Sequence, residues 1–109
     1  MLWKTHKRVS FEVLRRLGIS LSNEVSSKFE EGVLAPDRWK DYPHHHGKSE
    51  DIEQHLIKSR VLFLQGDLPN AFFSLGVALH YIQDSYTSMA SFYMHACQQF
   101  QYKPFRMTF

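Results

Sequence analysis

Two residues in the stretch Gly66 to Ser85, GDLPNAFFSLGVALHYIQDS, are out of character with their surroundings. His80 and Asp84 stand at i and i+4 in an otherwise apolar run, so on a helix they lie one above the other and both can reach a single ion. A carboxylate does not sit in a dry core unless it is hydrogen-bonded, paired with a charge or bound to metal, because losing its hydration is otherwise too costly. Two chemistries satisfy that demand here. Asp84 can steady a core imidazole, or the pair can ligate a transition ion together with groups from elsewhere in the chain. Such groups exist. His6 follows Trp3 near the amino terminus, where a lone histidine reads first as a satisfied core residue and second as a ligand. The segment APDRWKDYPHHHGKS carries Asp37, Asp41 and the triplet His44, His45 and His46. Consecutive residues of an extended loop point in different directions, so one or two of the three can face one ion; His45 and His46 are favoured and His44 is held in reserve.

The elements that must position these groups can be read from the apolar pattern. Asp67 is placed to cap a helix whose first turn contains Leu68 and Pro69. Ala71, Phe72, Phe73, Leu75, Val77, Ala78, Leu79, Tyr81 and Ile82 then cover every side of the wheel, the pattern of a helix buried all round. Leu2 to Leu17 predicts an amphipathic helix with Leu2, Trp3, His6, Val9, Ser10, Val13, Leu14 and Leu17 on one stripe, closed by Gly18. A second helix is expected from a Ser22 or Asn23 cap to about Leu34, with Pro36 ending it. A third starts at the Ser49 cap and runs to about Gln65, with Ile52, Leu56, Ile57, Val61, Phe63 and Leu64 for packing and His55 paired with Asp51 at the surface. After Asp84 the run SYTSMAS predicts a kink or break, followed by a last helical segment from Phe92 to about Tyr102. The expected architecture is all-α: a helical bundle of four to five helices around a central buried helix, formed by residues 1–109 as a single domain.

Composition narrows the functions available. At 109 residues and 43% hydrophobic, the chain has a real but modest core. The net charge of +2 comes from scattered residues and leaves no specific nucleic-acid signal. A single cysteine, Cys97, excludes an internal disulfide framework and a thiolate zinc cluster. No apolar run approaches the roughly 20 residues of a transmembrane segment. The start MLWKTHKRV lacks the apolar core of a signal peptide, so a cytoplasmic protein is expected. Oligomeric state is not legible.

The stretch GDLPNAFFSLGVALHYIQD, with the early Trp-x-x-His of Trp3 and His6 and a loop bearing Pro36-Asp37 followed by histidines, resembles the zinc-dependent phospholipase C fold shared with fungal single-strand nucleases. The resemblance runs from about Trp3 to Asp84, the front half of that fold, and is most specific in LGVALHYIQD. It implies that His80, Asp84, Asp37 and a histidine of the triplet hold one zinc. It further implies that Asp84 bridges to a second zinc held by His6 and the residue at the mature amino terminus. By the same resemblance the chain is a metal-dependent phosphoesterase, a phosphodiesterase using a zinc-activated water, with one or two zinc ions or another transition metal, Asp37 and Asp84 as its catalytic carboxylates and a phosphate ester as substrate. Position 90 is Ala where the family has a histidine, and His95 with Gln99 stands where a further ligand pair follows. A reduced intracellular relative without a complete three-zinc site is therefore expected. The alternative function is a noncatalytic metal-stabilised helical binding module whose protein ligands close the coordination sphere. A core of aromatics and histidines that binds no metal is the weaker third. Trp3, Phe73, Tyr81 and Tyr86 read first as core and second as the lining of an approach.

Overall fold

A computed structural model describes residues 2–39 and 49–87. Among them are four helices and no strand: α1 (Trp3–Arg16), α2 (Asn23–Trp39), α3 (Ser49–Leu64) and α4 (Leu68–Thr87). The all-α bundle expected from the apolar pattern is what forms. A fifth helix from Phe92, and any break in SYTSMAS beyond Thr87, lie outside the described residues.

The central helix is α4, which packs against α1, α2 and α3. Asp67 caps it as its position suggested, its carboxylate accepting from the Asn70 backbone amide and from the Asn70 side chain. From Ala71 to Asp84 no residue of this helix is exposed. Gly18 (φ 71°) and Gly66 (φ 83°) adopt the left-handed conformation that ends α1 and α3. In that turn the next amide bonds back into the helix, from Ile19 to the Leu14 carbonyl and from Asp67 to the Leu62 carbonyl.

The α2–α4 contact is close because glycines meet there. A side-chain carbon added at Gly76 would lie 2.6 Å from the Phe29 carbonyl oxygen, and one at Gly32 would collide with the Phe73 carbonyl. Around this crossing Phe29 and Val33 are fully buried, and Leu14, Phe11, Leu34, Phe72, Leu75 and Leu79 complete the apolar core. Phe11 and Phe72 both meet Phe29 edge-on.

Three expectations are corrected. Pro36 does not end α2, which continues to Trp39. Proline removes one helical amide donor but fixes a helical φ, and buried Ala35 and Pro36 hold the last turn in place. The stripe on α1 is narrower than its sequence pattern: His6, Ser10 and Leu14 are buried, while Leu2, Trp3 and Leu17 at its ends are exposed. Lastly, α3 turns its apolar residues outward. Leu56, Ile57, Val61, Phe63 and Leu64 are exposed, and its seam toward α4 uses Ile52, His55, Ser59 and Leu62, with the Ser59 hydroxyl donating to the Ala71 carbonyl. Among the described residues α4 offers α3 one side only, so one stripe is covered.

Candidate metal centre

Three helices deliver side chains to one point. His6 comes from the first turns of α1, Asp37 from the last turn of α2, and His80 and Asp84 from successive turns of α4. The imidazoles of His6 and His80 are fully buried and stack face to face, with centroids 3.8 Å apart and planes 19° from parallel. The Asp84 carboxylate spans their edges. Its Oδ1 lies 3.0 Å from His6 Nε2 and its Oδ2 lies 3.0 Å from His80 Nε2. Asp37 Oδ1 lies 3.6 Å from the same His80 nitrogen, and this carboxylate is more exposed than that of Asp84. The two acids form the solvent side of the cluster; the two imidazoles form its floor.

The other nitrogens of the two rings are engaged elsewhere. His80 Nδ1 lies 2.7 Å from the Val33 carbonyl oxygen. A carbonyl can only accept, so Nδ1 carries a hydrogen, and Nε2 is the ring atom that faces Asp84. On the other side, His6 Nδ1 lies 2.7 Å from Gln83 Oε1, and Gln83 Nε2 donates to Ser10 Oγ at 2.8 Å.

Electrostatics at the centre follow from this arrangement. Burial opposes the Asp84 charge, but the imidazoles of His6 and His80 outweigh it and hold the carboxyl well below the ordinary carboxylate range. His6 Nε2 is buried and makes no directed hydrogen bond among the described residues despite its closeness to Asp84. His6, His80 and Asp84 offer ligand atoms all within 4.8 Å of one another.

No known protein family, curated protein sequence or solved structure matches this chain. What the site can do is therefore read from its own geometry.

Of the residues singled out in the sequence, His6, Asp37, His80 and Asp84 are brought together. His45 and His46, with His44 in reserve, lie outside the described residues, as do His95 and Gln99. His55 is partly buried, with its ring 5.8 Å from that of Tyr81. Tyr81 is core and meets His80 edge-on at 6.1 Å, whereas Trp3 and Tyr86 are exposed. Sequence reasoning missed Gln83 and the Val33 carbonyl. Gln83 had a signal, being a polar residue beside Asp84 in the buried helix; the carbonyl had none, because an acceptor on the main chain is invisible in residue types. Ser10 was visible as a polar interruption of the α1 stripe, one turn beyond His6.

Proposed function

We propose that this cluster is a transition-metal centre, best suited to zinc, and that the protein uses it to hydrolyse a phosphate ester, a phosphodiester in the first instance. The observation that carries the reading is the convergence of the two Nε2 atoms on separate oxygens of Asp84, each ring having its Nδ1 engaged with an oxygen acceptor. Ligating histidines characteristically donate their second nitrogen to a carbonyl or carboxylate, which fixes the ring and strengthens the ligand. Both rings here have such a partner. In this reading His80, Asp84 and Asp37 hold one ion, with a histidine of the 44–46 segment as a further candidate. Asp84 presents its second oxygen to His6, which suits a carboxylate shared between two ions.

When bound, zinc acidifies water toward a pKa of about 7 and withdraws charge from a phosphoryl oxygen. The chain's own groups supply the rest. His6 and His80 wall off the inner side of the site, so substrate approaches past the acids. Asp37, the more exposed of the two, is placed to accept the proton of the attacking water, and Asp84 keeps the imidazole nitrogens in register. A noncatalytic metal-stabilised module is the second reading, favoured by the complete burial of both histidines.

The test is metal content and turnover of the untagged protein, comparing wild type with Asp84→Asn and Asp37→Asn on small phosphodiesters and phosphomonoesters, with zinc, manganese and iron each supplied. Hydrolysis lost in both variants, with zinc affinity lowered less in Asp37→Asn, whose amide oxygen can still face the ion, than in Asp84→Asn, is the expected pattern. Bound zinc without turnover in wild type would leave the structural module, and no bound metal would end the metal reading.

A further inference from the structure

The two histidines are oriented by different means. For His80 the acceptor is the main-chain carbonyl of Val33, which is fixed by helix α2 and cannot be changed by altering a side chain. For His6 the acceptor is the side-chain amide of Gln83, which stands one residue before Asp84 on α4. That amide is nearly buried, and its other end is committed: Nε2 donates to Ser10 Oγ, a fully buried hydroxyl one turn beyond His6 on α1. Three buried polar groups on two helices thus form a closed chain, from His6 to Gln83 to Ser10.

An amide is ambident. Turned one way it accepts from an imidazole N–H and leaves the opposite ring nitrogen as a lone pair; turned the other way it donates, and the opposite nitrogen must carry hydrogen. Only the first setting offers His6 Nε2 to an ion beside Asp84. In the observed arrangement Gln83 Nε2 is turned to Ser10 Oγ, so Oε1 is the end of the amide that faces His6 Nδ1. Simple packing of α1 on α4 would be served as well by an apolar side chain of the same length. A buried glutamine bridging a histidine and a serine is the costlier choice unless the direction of its hydrogen bonds matters.

We infer that Gln83 is a positioning residue for His6: held by Ser10, it fixes the hydrogen on His6 Nδ1 and so makes Nε2 a metal ligand. This rests on the metal reading above, and predicts an order among variants that packing alone reverses. Gln83→Met keeps the length, removes both polar ends and suits a buried site. Gln83→Glu is isosteric, places a charge in that site and keeps an acceptor for Nδ1–H. A structural role ranks Met above Glu; a positioning role ranks Glu above Met.

The experiment is zinc titration of untagged wild type, Gln83→Glu, Gln83→Met and Ser10→Ala, with nitrogen-15 spectra of the imidazoles in the zinc-loaded proteins. Expected is a fall in zinc affinity of about 10–100-fold for Gln83→Met, the usual effect of losing a ligand's hydrogen-bond partner. Gln83→Glu should bind at least as tightly as wild type, and Ser10→Ala should show a smaller loss of the same sign. In the spectra the His6 Nδ1–H should be seen in slow exchange in wild type and Gln83→Glu and be lost in Gln83→Met, while the His80 signal stays unchanged in all four. Wild type binding zinc with Gln83→Met equal to it, or with Gln83→Glu the weakest of the series, overturns the role of Gln83 and leaves the metal reading intact. Wild type binding no zinc overturns both. Should Gln83→Met fail to fold, Ser10→Ala and Gln83→Glu decide by the same affinity order and the same Nδ1–H signal.

Discussion

His80 is the residue whose loss should be felt most. It is fully buried, donates to the Val33 carbonyl and faces both Asp84 and Asp37. His80→Ala therefore removes a proposed ligand, leaves an oxygen acceptor unsatisfied inside the bundle and opens a hole beside Tyr81. We expect bound zinc to drop below detection and stability to fall by about 2–4 kcal/mol even without metal, measured by denaturant unfolding in chelator. Unchanged metal content and unchanged unfolding would make the pair a dispensable core contact. His55 offers a separate test at the same scale. Burial first, then the charge of Lys58, lowers its pKa, with Asp51 offsetting part of the effect. A lowered imidazole pKa means that the folded state prefers the neutral ring. Its contribution is present above the unfolded value near 6.5 and is lost as pH falls through that value toward the lower folded one. His55→Gln should therefore lose less stability than wild type between pH 7.5 and 5.5 when both are metal-free. A steeper loss in the variant would place the sign of the shift in error.

At the scale of the elements, the site depends on how closely α2 and α4 approach. The bond from His80 to the Val33 carbonyl spans that crossing, and the crossing is set by Gly32 and Gly76. Gly76→Ala adds a carbon 2.6 Å from the Phe29 carbonyl oxygen and 2.7 Å from the Val33 amide nitrogen, both main-chain atoms that cannot turn aside. The helices must separate. A destabilisation of about 1–3 kcal/mol is expected from overpacking, together with a loss of zinc affinity although Gly76 touches no ligand. Titration calorimetry beside unfolding measures both, and full zinc affinity in Gly76→Ala would show that the site does not depend on this crossing. How much of this was legible from residue types can be judged piece by piece. The buried helix and its His80–Asp84 pair were plain, because apolar coverage of a whole wheel makes two polar residues conspicuous. His6 and Asp37 were legible as candidates, but their convergence depends on a crossing geometry that no local pattern encodes. The extension of α2 past Pro36 was not legible, since whether a proline ends a helix is decided by what buries the next turn. Nor was the outward face of α3, because six apolar residues read the same whether a neighbour covers them or not.

Across the whole molecule, the proposed ligands are divided so that an ion would tie together α1, α2 and α4, while none of the four comes from α3. Helix α1 has most to gain. It meets the bundle through a seam whose buried residues are His6, Ser10 and Leu14, with Phe11 packed edge-on to Phe29, so few apolar groups hold it. Zinc at 100 times its dissociation constant adds about 2.7 kcal/mol to folding stability, a rise in Tm on the order of 10 °C for a chain of this size. The increase should not be uniform along the chain. Amides of α1 that open by local undocking should gain hydrogen-exchange protection on adding zinc, because undocking now requires giving up the His6 contact, and the amides of α2 and α4 near the ligands should follow. Amides of α3 should gain protection only where they exchange by global unfolding. Hydrogen exchange of the full chain with zinc and with chelator measures this directly. Adventitious binding elsewhere on the chain would instead raise protection little or raise it equally in all four helices, and a gain confined to α3 would place the ion away from His6, His80 and Asp84 altogether.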